Sequence, residues 1–497
     1  MLVSIRSHLF IGLLAGLVCV SSGPPRAYAA DTQTANTTTT TPSRLNILLI
    51  TADDLNYDTP GFAGGIAGVT PNIDRLASES MRVEHAHVTI AVCMPSRSVL
   101  MTGRYPHRNG AKGFNRIHRD VPTLQESLRA AGYLNGIMGK VRHLAPQRKF
   151  CWDTVVTWDR LGKGRDPALY YKHAKNFFEK SKQAGKLFFL MANSHDPHRP
   201  FAGSEQEKIF LKRWRKQQPD LTITDPSRWY QPDEIKIPGF LPDIPNVRRE
   251  IAQYYSSVGR CDETVGQILR ALKETGFEKN TLVMFLSDNG MAFPFAKTNC
   301  YLTSTRTPWL VRWPGKVKPG TADTQHMISG IDYMPTILEA AGLAQIEGMD
   351  GHSFLPLLVG ESQSERTHVF TVFNTTAARK HYPMRCIQSR KFGYLFNAWS
   401  DGETVFKNES QSGLTFKAMQ AAAKTDEQIA ARVRLFRYRV PQEFYDFEKD
   451  PCARKNLIDD PAYQAEIKKL QTEMLNIMTS TDDPLLDQFK KRVLGDQ

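Results

Sequence analysis

Residues 46–54 read Asn46-Ile47-Leu48-Leu49-Ile50-Thr51-Ala52-Asp53-Asp54. A short apolar run closed by two adjacent carboxylates has the form of a buried parallel strand that ends at a polar site. Three other stretches repeat that form. Residues 133–138 (YLNGIM) run into Gly139-Lys140-Val141-Arg142-His143, and residues 187–191 (LFFLM) run into Asn193-Ser194-His195-Asp196-Pro197-His198. Residues 282–286 (LVMFL) run into Ser287-Asp288-Asn289-Gly290. Helical patterns lie between them, over 70–80, 122–132, 166–185 and about 247–275, with a further one over 332–343. Strand and helix in alternation predict an α/β sheet with helices on both faces. In such sheets ligands bind beyond the carboxyl ends of the strands, so the four polar clusters are expected to converge on one site.

The chain of 497 residues is too long for one small core, which predicts a large domain with a smaller companion. With 41% hydrophobic and 23% charged residues it has an ordinary globular composition. Residues 1–29 carry Arg6, an apolar run over about 9–20 and the small-residue pattern Ala27-Tyr28-Ala29, which predicts a cleaved secretory signal peptide. That run is too short to span a bilayer, and no later segment is apolar enough to do so. Residues 30–43 are polar and of low complexity, the composition of a disordered linker. From about residue 367 shorter β-like segments appear (HVFTVF, FGYLF), followed by a terminal helix over about 461–479. The main domain is therefore assigned to 44–365 and a smaller C-terminal domain to 366–497.

Sixty-four Lys and Arg against 51 Asp and Glu give a formal charge of +13, or +11 once Arg6 and Arg26 leave with the signal. The excess suits a polyanionic substrate, but it is spread along the chain, without the basic and aromatic interleaving of nucleic-acid modules. Of seven cysteines, Cys19 lies in the signal; Cys93, Cys151, Cys261, Cys300, Cys386 and Cys452 remain, and none forms a CxxC pair of the zinc-binding kind.

Asp53, Asp54, Asp288 and Asn289 offer oxygen ligands only, which select calcium or magnesium; the carboxamide beside three carboxylates favours calcium. Asp and Asn also make turns and caps, the competing reading for each pair. Residues 93–104 read CMPSRSVLMTGR. Pro95 fits the first turn of a helix that continues to Thr102 and ends at Gly103. Cys93 then stands at the helix entrance, where backbone donors and the dipole favour negative charge.

This segment resembles the signature of the type I sulfatases, C-x-P-S-R-x-x-x-L-T-G-R, with Met101 at the usual leucine. ADD, HDPHRP, YYSSVGRCDETVG, SDNG and FYDFEKDPCARKNL add to the resemblance across the chain after the linker. It implies an alkaline-phosphatase-like sandwich with a large, mostly parallel central sheet, and a smaller α+β C-terminal domain with an antiparallel sheet. It also implies conversion of Cys93 to formylglycine by a maturation enzyme. The hydrated aldehyde then attacks sulfur through one hydroxyl and expels sulfate through the other, by way of a covalent sulfo-enzyme intermediate. By the same resemblance Asp53, Asp54, Asp288 and Asn289 hold one divalent cation, Ca2+ or Mg2+, that also contacts the modified Cys93. Arg97 and Lys140 orient the diol, His143 takes a proton during sulfate elimination, and His198 and Lys297 grip the sulfate and protonate the leaving atom. His195 is expected to support its loop.

HDPHRP, SDNGMAFPFAKTNCY and HYPMRCIQSRKF are most similar to segments of the heparan N-sulfatases, or sulfamidases. The last places His381 and Arg385 either at the substrate rim or in packing between the domains. The Lys140-Val141-Arg142-His143 spacing looks more like the iduronate-2-sulfatases, and Lys297 stands where sulfamidases carry arginine. The resemblance implies an exported enzyme, in a periplasmic, secreted or lysosome-like compartment, acting on the N-sulfate or O-sulfate of a glycosaminoglycan sugar. It implies no nucleic-acid partner and no membrane span, and allows a homodimer. Two alternatives stand beside it: a formylglycine-dependent phosphodiesterase or phosphonate monoester hydrolase, and a catalytically inert glycan-binding protein.

Overall fold

The structure is a computed structural model that describes residues 45–495; the stretches read as signal peptide and linker lie outside the described residues. The four apolar runs become neighbouring strands. In chain order the strands are β1 (Asn46–Asp53), β2 (Met81–His87), β3 (Leu134–Met138) and β4 (Thr154–Val156), then β5 (Phe188–Pro197), β6 (Thr281–Ser287), β7 (Trp309–Arg312) and β8 (Ala322–Ser329). They form one sheet in the order β4-β3-β5-β1-β6-β7-β2-β8, parallel except for β7, which runs antiparallel to β6 and β2. The mostly parallel sheet expected from the sequence is therefore present.

Burial explains the uninterrupted apolar runs. Ile47 and Leu49 of β1 face one core and Leu48, Ile50 and Ala52 the other, as the period of two requires when both faces are covered. Helices Pro167–Ala184 and Pro245–Glu274 cover one face, and Leu124–Ala130 and Tyr333–Ala340 cover the other. The central strands end together at the edge that carries the polar clusters.

A second sheet follows: β9 (His368–Thr375), β10 (His381–Ser389), β11 (Phe392–Asn397) and β12 (Gln442–Asp446), antiparallel in the order β12-β11-β10-β9. Val372, Met384, Ile387 and Leu395 join the core that lies on the Leu48 face of β1. Helices Leu414–Ala422 and Glu427–Tyr438 stand between β11 and β12. Among the described residues the six cysteines are unpaired, and no helix is long and apolar enough to cross a membrane.

Candidate active site

The ends of β1 and β6 are tied by hydrogen bonds. The Asp54 backbone N–H donates to Asp288 Oδ1 at 3.1 Å, and that of Leu55 to Ser287 Oγ at 2.9 Å. Asp54 lies in the left-handed region at φ 68, a conformation aspartate tolerates better than most residues. Asn289 Nδ2 donates to Asp54 Oδ1 at 2.7 Å. Gly290 is required by close approach, because a Cβ there would lie 2.1 Å from the Thr303 carbonyl oxygen and 2.5 Å from that of Ala296. All four proposed cation ligands are fully buried.

The helix beginning at Cys93 spans Cys93–Thr102 and ends at Gly103, whose φ of 61 is the left-handed C-terminal conformation that favours glycine. One turn on, Arg97 is wholly buried. It pairs with Asp288, donates from Nη1 to the Cys93 carbonyl at 3.2 Å, and from Nε to Asn193 Oδ1 at 3.1 Å. Asn193 itself bridges three strands, accepting from Thr51 Oγ1 at 2.8 Å and donating to the Met138 carbonyl at 3.0 Å. Cys93 Sγ and one carboxylate oxygen from each of Asp53 and Asp288 lie within 4.8 Å of one another. Burial, with Asp288 and Glu409 adding to it against Lys297 and Arg97, pushes the Cys93 thiol up to about 12. As a cysteine it is a neutral thiol at physiological pH, not a thiolate nucleophile.

HDPHRP is held from behind. Asp196 pairs with Arg165 and takes Arg260 Nε at 2.7 Å, while Arg199 pairs with Glu250 at 2.6 Å and donates to the Ala292 carbonyl at 3.1 Å. His198 is left facing the cavity. Its Nδ1 donates to the Arg199 carbonyl at 2.6 Å, and its Nε2 lies 3.8 Å from Asp54 Oδ2 and 3.9 Å from Glu409 Oε2. Lys140, at φ 48, pairs with Asp53; burial lowers it to about 7 against the pull of Asp288. Lys297 is buried between two acids, donating to Asp54 Oδ2 at 2.8 Å and pairing with Glu409. Burial opposes its charge, but Asp54 and Glu409 more than offset this and raise its pKa. Burial and the nearby cations hold His143, His195 and His198 well below the usual histidine value, as neutral imidazoles.

A cavity of about 560 Å³ opens over this cluster, with Cys93, Lys140, His143, His195, His198 and Lys297 along its wall. Arg97, Asp53, Asp54 and Asp288 stand behind it, while Glu409 lines it. Arg385 does not join them. Its guanidinium is fully buried, donating to Asp483 at 2.6 and 2.9 Å and to Asn374 at 3.0 Å, so it ties β10 to the C-terminal segment and has no surface at the substrate rim. His381 is exposed, with its Nδ1 3.3 Å from Thr375 Oγ1; its neighbour Lys380 reaches the cavity instead. Sequence reasoning missed Glu409, Asn193 and Lys407. Asn193 stood within the polar cluster after β5, whereas nothing in the local pattern around Glu409 marks it.

The donor set fits a hard cation. Neither Asp53 oxygen has an aligned hydrogen-bond donor, despite the Lys140 contact, and Asn289 Oδ1 is likewise buried without a partner. Burial raises Asp54 to about 7 against Lys297, with Glu409 and Asp288 adding to the rise. Crowding three carboxylates in this enclosed space carries an electrostatic cost that a divalent cation would remove.

The eight-stranded, mostly parallel sheet with an acidic cluster beyond its strand ends has the fold of an alkaline-phosphatase-like sandwich. The chain belongs to the sulfatase family, which matches residues 45–343, and it is a hydrolase of sulfuric esters or sulfamates. Residues 292–402 match the family described as N-sulphoglucosamine sulphohydrolase, C-terminal. The chain is 29% identical to human N-sulphoglucosamine sulphohydrolase over 468 residues, which covers 88% of this chain and 91% of that protein. It is 29% identical to human iduronate 2-sulfatase over 371 residues, 63% of this chain and 65% of that protein. A solved structure in complex with its substrate D-glucosamine-2-N,6-O-disulfate shares the fold, with a TM-score of 0.64 and 17% identity over 89% of this chain and 99% of that one.

Proposed function

We propose that this protein is an exported sulfatase that removes the N-sulfate group from an amino sugar of a glycosaminoglycan, using formylglycine made from Cys93 and one divalent cation. The observation that carries this reading is the position of Cys93 at a helix entrance, between an oxygen-donor cluster and a wall of lysines and histidines around one cavity. The choice of an N-sulfated sugar is supported by the similarity to human N-sulphoglucosamine sulphohydrolase and by the C-terminal family match. In this reading residues 44–365 carry the chemistry and residues 366–497 form the subdomain that completes the pocket.

Asp53, Asp54, Asp288 and Asn289 would hold the cation, calcium in our reading, which supplies positive charge that favours ionisation of a neighbouring hydroxyl and offsets charge on the sulfuryl group. The Cys93 Sγ stands in for the hydrated aldehyde, which supplies a nucleophilic hydroxyl and a second hydroxyl that lets sulfate leave, a step no thiol can perform. Arg97 is fixed by Asn193 and Asp288 and orients the side chain at position 93. Lys140 does so from the other side, beside Asp53. His143, half-buried and neutral with Nδ1 unpartnered, accepts a proton as sulfate departs. Lys297 keeps its proton between Asp54 and Glu409 and gives it to the leaving atom, while His198 stands beside it and grips the sulfate at the same atom.

The test is sulfate release by the formylglycine-bearing protein from N-sulfoglucosamine and from 6-O-sulfated N-acetylglucosamine. Release from the first alone is expected. Release from the second alone would replace the sulfamate reading with an ester one. Turnover of phosphate diesters with neither sugar cleaved would move the enzyme to the phosphodiesterase alternative.

A further inference from the structure

Glu409 is an acid inside an anion-binding pocket. It arrives from the segment that follows β11, pairs with Lys297, and sets its second oxygen 3.9 Å from His198 Nε2. These are the two groups placed at the leaving atom, so the Glu409 carboxylate lies within reach of that atom as well. Its side chain is 34% exposed and lines the cavity, so it is open to a ligand in a way that the cation ligands are not. A carboxylate there repels a sulfate and gains nothing from an ester oxygen, which has only lone pairs to present. Holding Lys297 engages only one Glu409 oxygen, Oε1, and leaves Oε2 on the His198 side to face a ligand.

We infer that Glu409 reads the atom bonded to sulfur: it accepts a hydrogen bond from the sulfamate N–H and then pairs with the ammonium that forms there, selecting N-sulfated over O-sulfated sugars. This rests on the sulfamate reading above. The two reactions differ in what they leave in the pocket. A sulfamate consumes one water, R–NH–SO3⁻ + H2O → R–NH3⁺ + SO4²⁻; the S–N bond breaks with its electron pair going to nitrogen, a new S–O bond forms, and both water protons end on nitrogen. An ester gives R–OH + SO4²⁻ + H⁺, so the leaving oxygen ends neutral. Only the first product offers a cation and several N–H donors to a carboxylate.

The experiment compares Glu409→Gln with the wild type, both bearing formylglycine, on N-sulfoglucosamine and glucose 2-sulfate, which differ only in the atom joined to sulfur. A hydrogen bond to a charged group contributes about 1.5–3 kcal/mol, so kcat/KM should fall roughly 10- to 100-fold more on the sulfamate than on the ester. Binding of the products gives a second readout that needs no turnover. Wild type should bind glucosamine more tightly than glucose, and the variant should lose that difference. Equal losses on both substrates with the binding preference intact would reduce Glu409 to a support for Lys297 and overturn the inference. A wild type that releases no sulfate from N-sulfoglucosamine would overturn the sulfamate reading itself, whatever the variant does.

Discussion

At the scale of single residues, position 93 carries the strictest requirement. Its side chain is buried at a helix entrance, with Lys140 and Lys297 within the same cavity wall. Cys93→Ala should abolish sulfate release while leaving the unfolding temperature within a degree or so of wild type, since it removes one small sulfur atom. Retained turnover in that variant would refute the mechanism. Arg385 and Asp483 make a different prediction, about stability. Breaking a fully buried pair by Asp483→Asn leaves the guanidinium uncompensated, at a cost of about 3–5 kcal/mol in denaturant unfolding. Burial pushes the Asp483 carboxyl up, but Arg385 pulls harder and its net position is below the ordinary 3.8. Because the folded value is depressed, the pair's contribution is complete above that ordinary value and fades as pH falls through the folded one. The gap between Asp483→Asn and wild type should therefore be constant near neutrality and shrink under strong acid; a gap that widens there would contradict the assignment. The Arg385 environment was not legible in HYPMR, because its partner lies near the far end of the chain, and sequence spacing says nothing of such a pairing.

Among the elements, the strand ends were the most readable feature. Apolar runs buried on both faces must be continuous, and the polar residues that follow them must lie beyond the sheet, so β1, β3, β5 and β6 were visible at once. β7 was not, because four residues, WLVR, carry no period, and its antiparallel course follows from its neighbours. One segment that carried the family resemblance proves to be a support. Arg260 of YYSSVGRCDETVG anchors Asp196, and Asp262 accepts from the backbone N–H groups of Asn72 at 3.1 Å and Ile73 at 2.7 Å at the start of the Pro71–Ser78 helix. SDNG combines both roles. Asp288 and Asn289 face the cluster, while Gly290 lets the loop pass against two carbonyl oxygens. Gly290→Ala should force that loop outward, costing about 1–3 kcal/mol of stability and weakening calcium binding, as measured by denaturant unfolding and isothermal titration. Unchanged calcium affinity would show that the loop tolerates the shift.

For the molecule as a whole, the acidic cluster of Asp53, Asp54 and Asp288 joins β1 to β6 at the centre of the large sheet, so its charge state bears on global stability. Adding calcium to the chelated protein should raise its unfolding temperature in proportion to the logarithm of free calcium, because a ligand that binds only the folded state stabilises it by mass action. Calorimetry at several calcium concentrations checks this independently of turnover, and a concentration-independent transition would refute the assignment of the four ligands. The general plan of the large sheet followed from the chain's periodicities, but the closure of the pocket did not. Thr376 and Lys380 come from the turn between β9 and β10, and Lys407, Asn408 and Glu409 from the stretch between β11 and β12; they meet the Cys93 end of the large sheet only once both sheets have formed.

The pocket thus has two sources of parentage. Its floor is fixed by strand ends whose displacement would disturb the central sheet, whereas its far wall is made of connecting segments that can lengthen, shorten or change residues without touching the acidic cluster. Divergence among chains of this architecture has an open route to new substrates through residues 376–380 and 407–409 and an obstructed one through residues 53–54 and 288–289. Differences in that wall, more than in the floor, are where a change of sugar should first be sought.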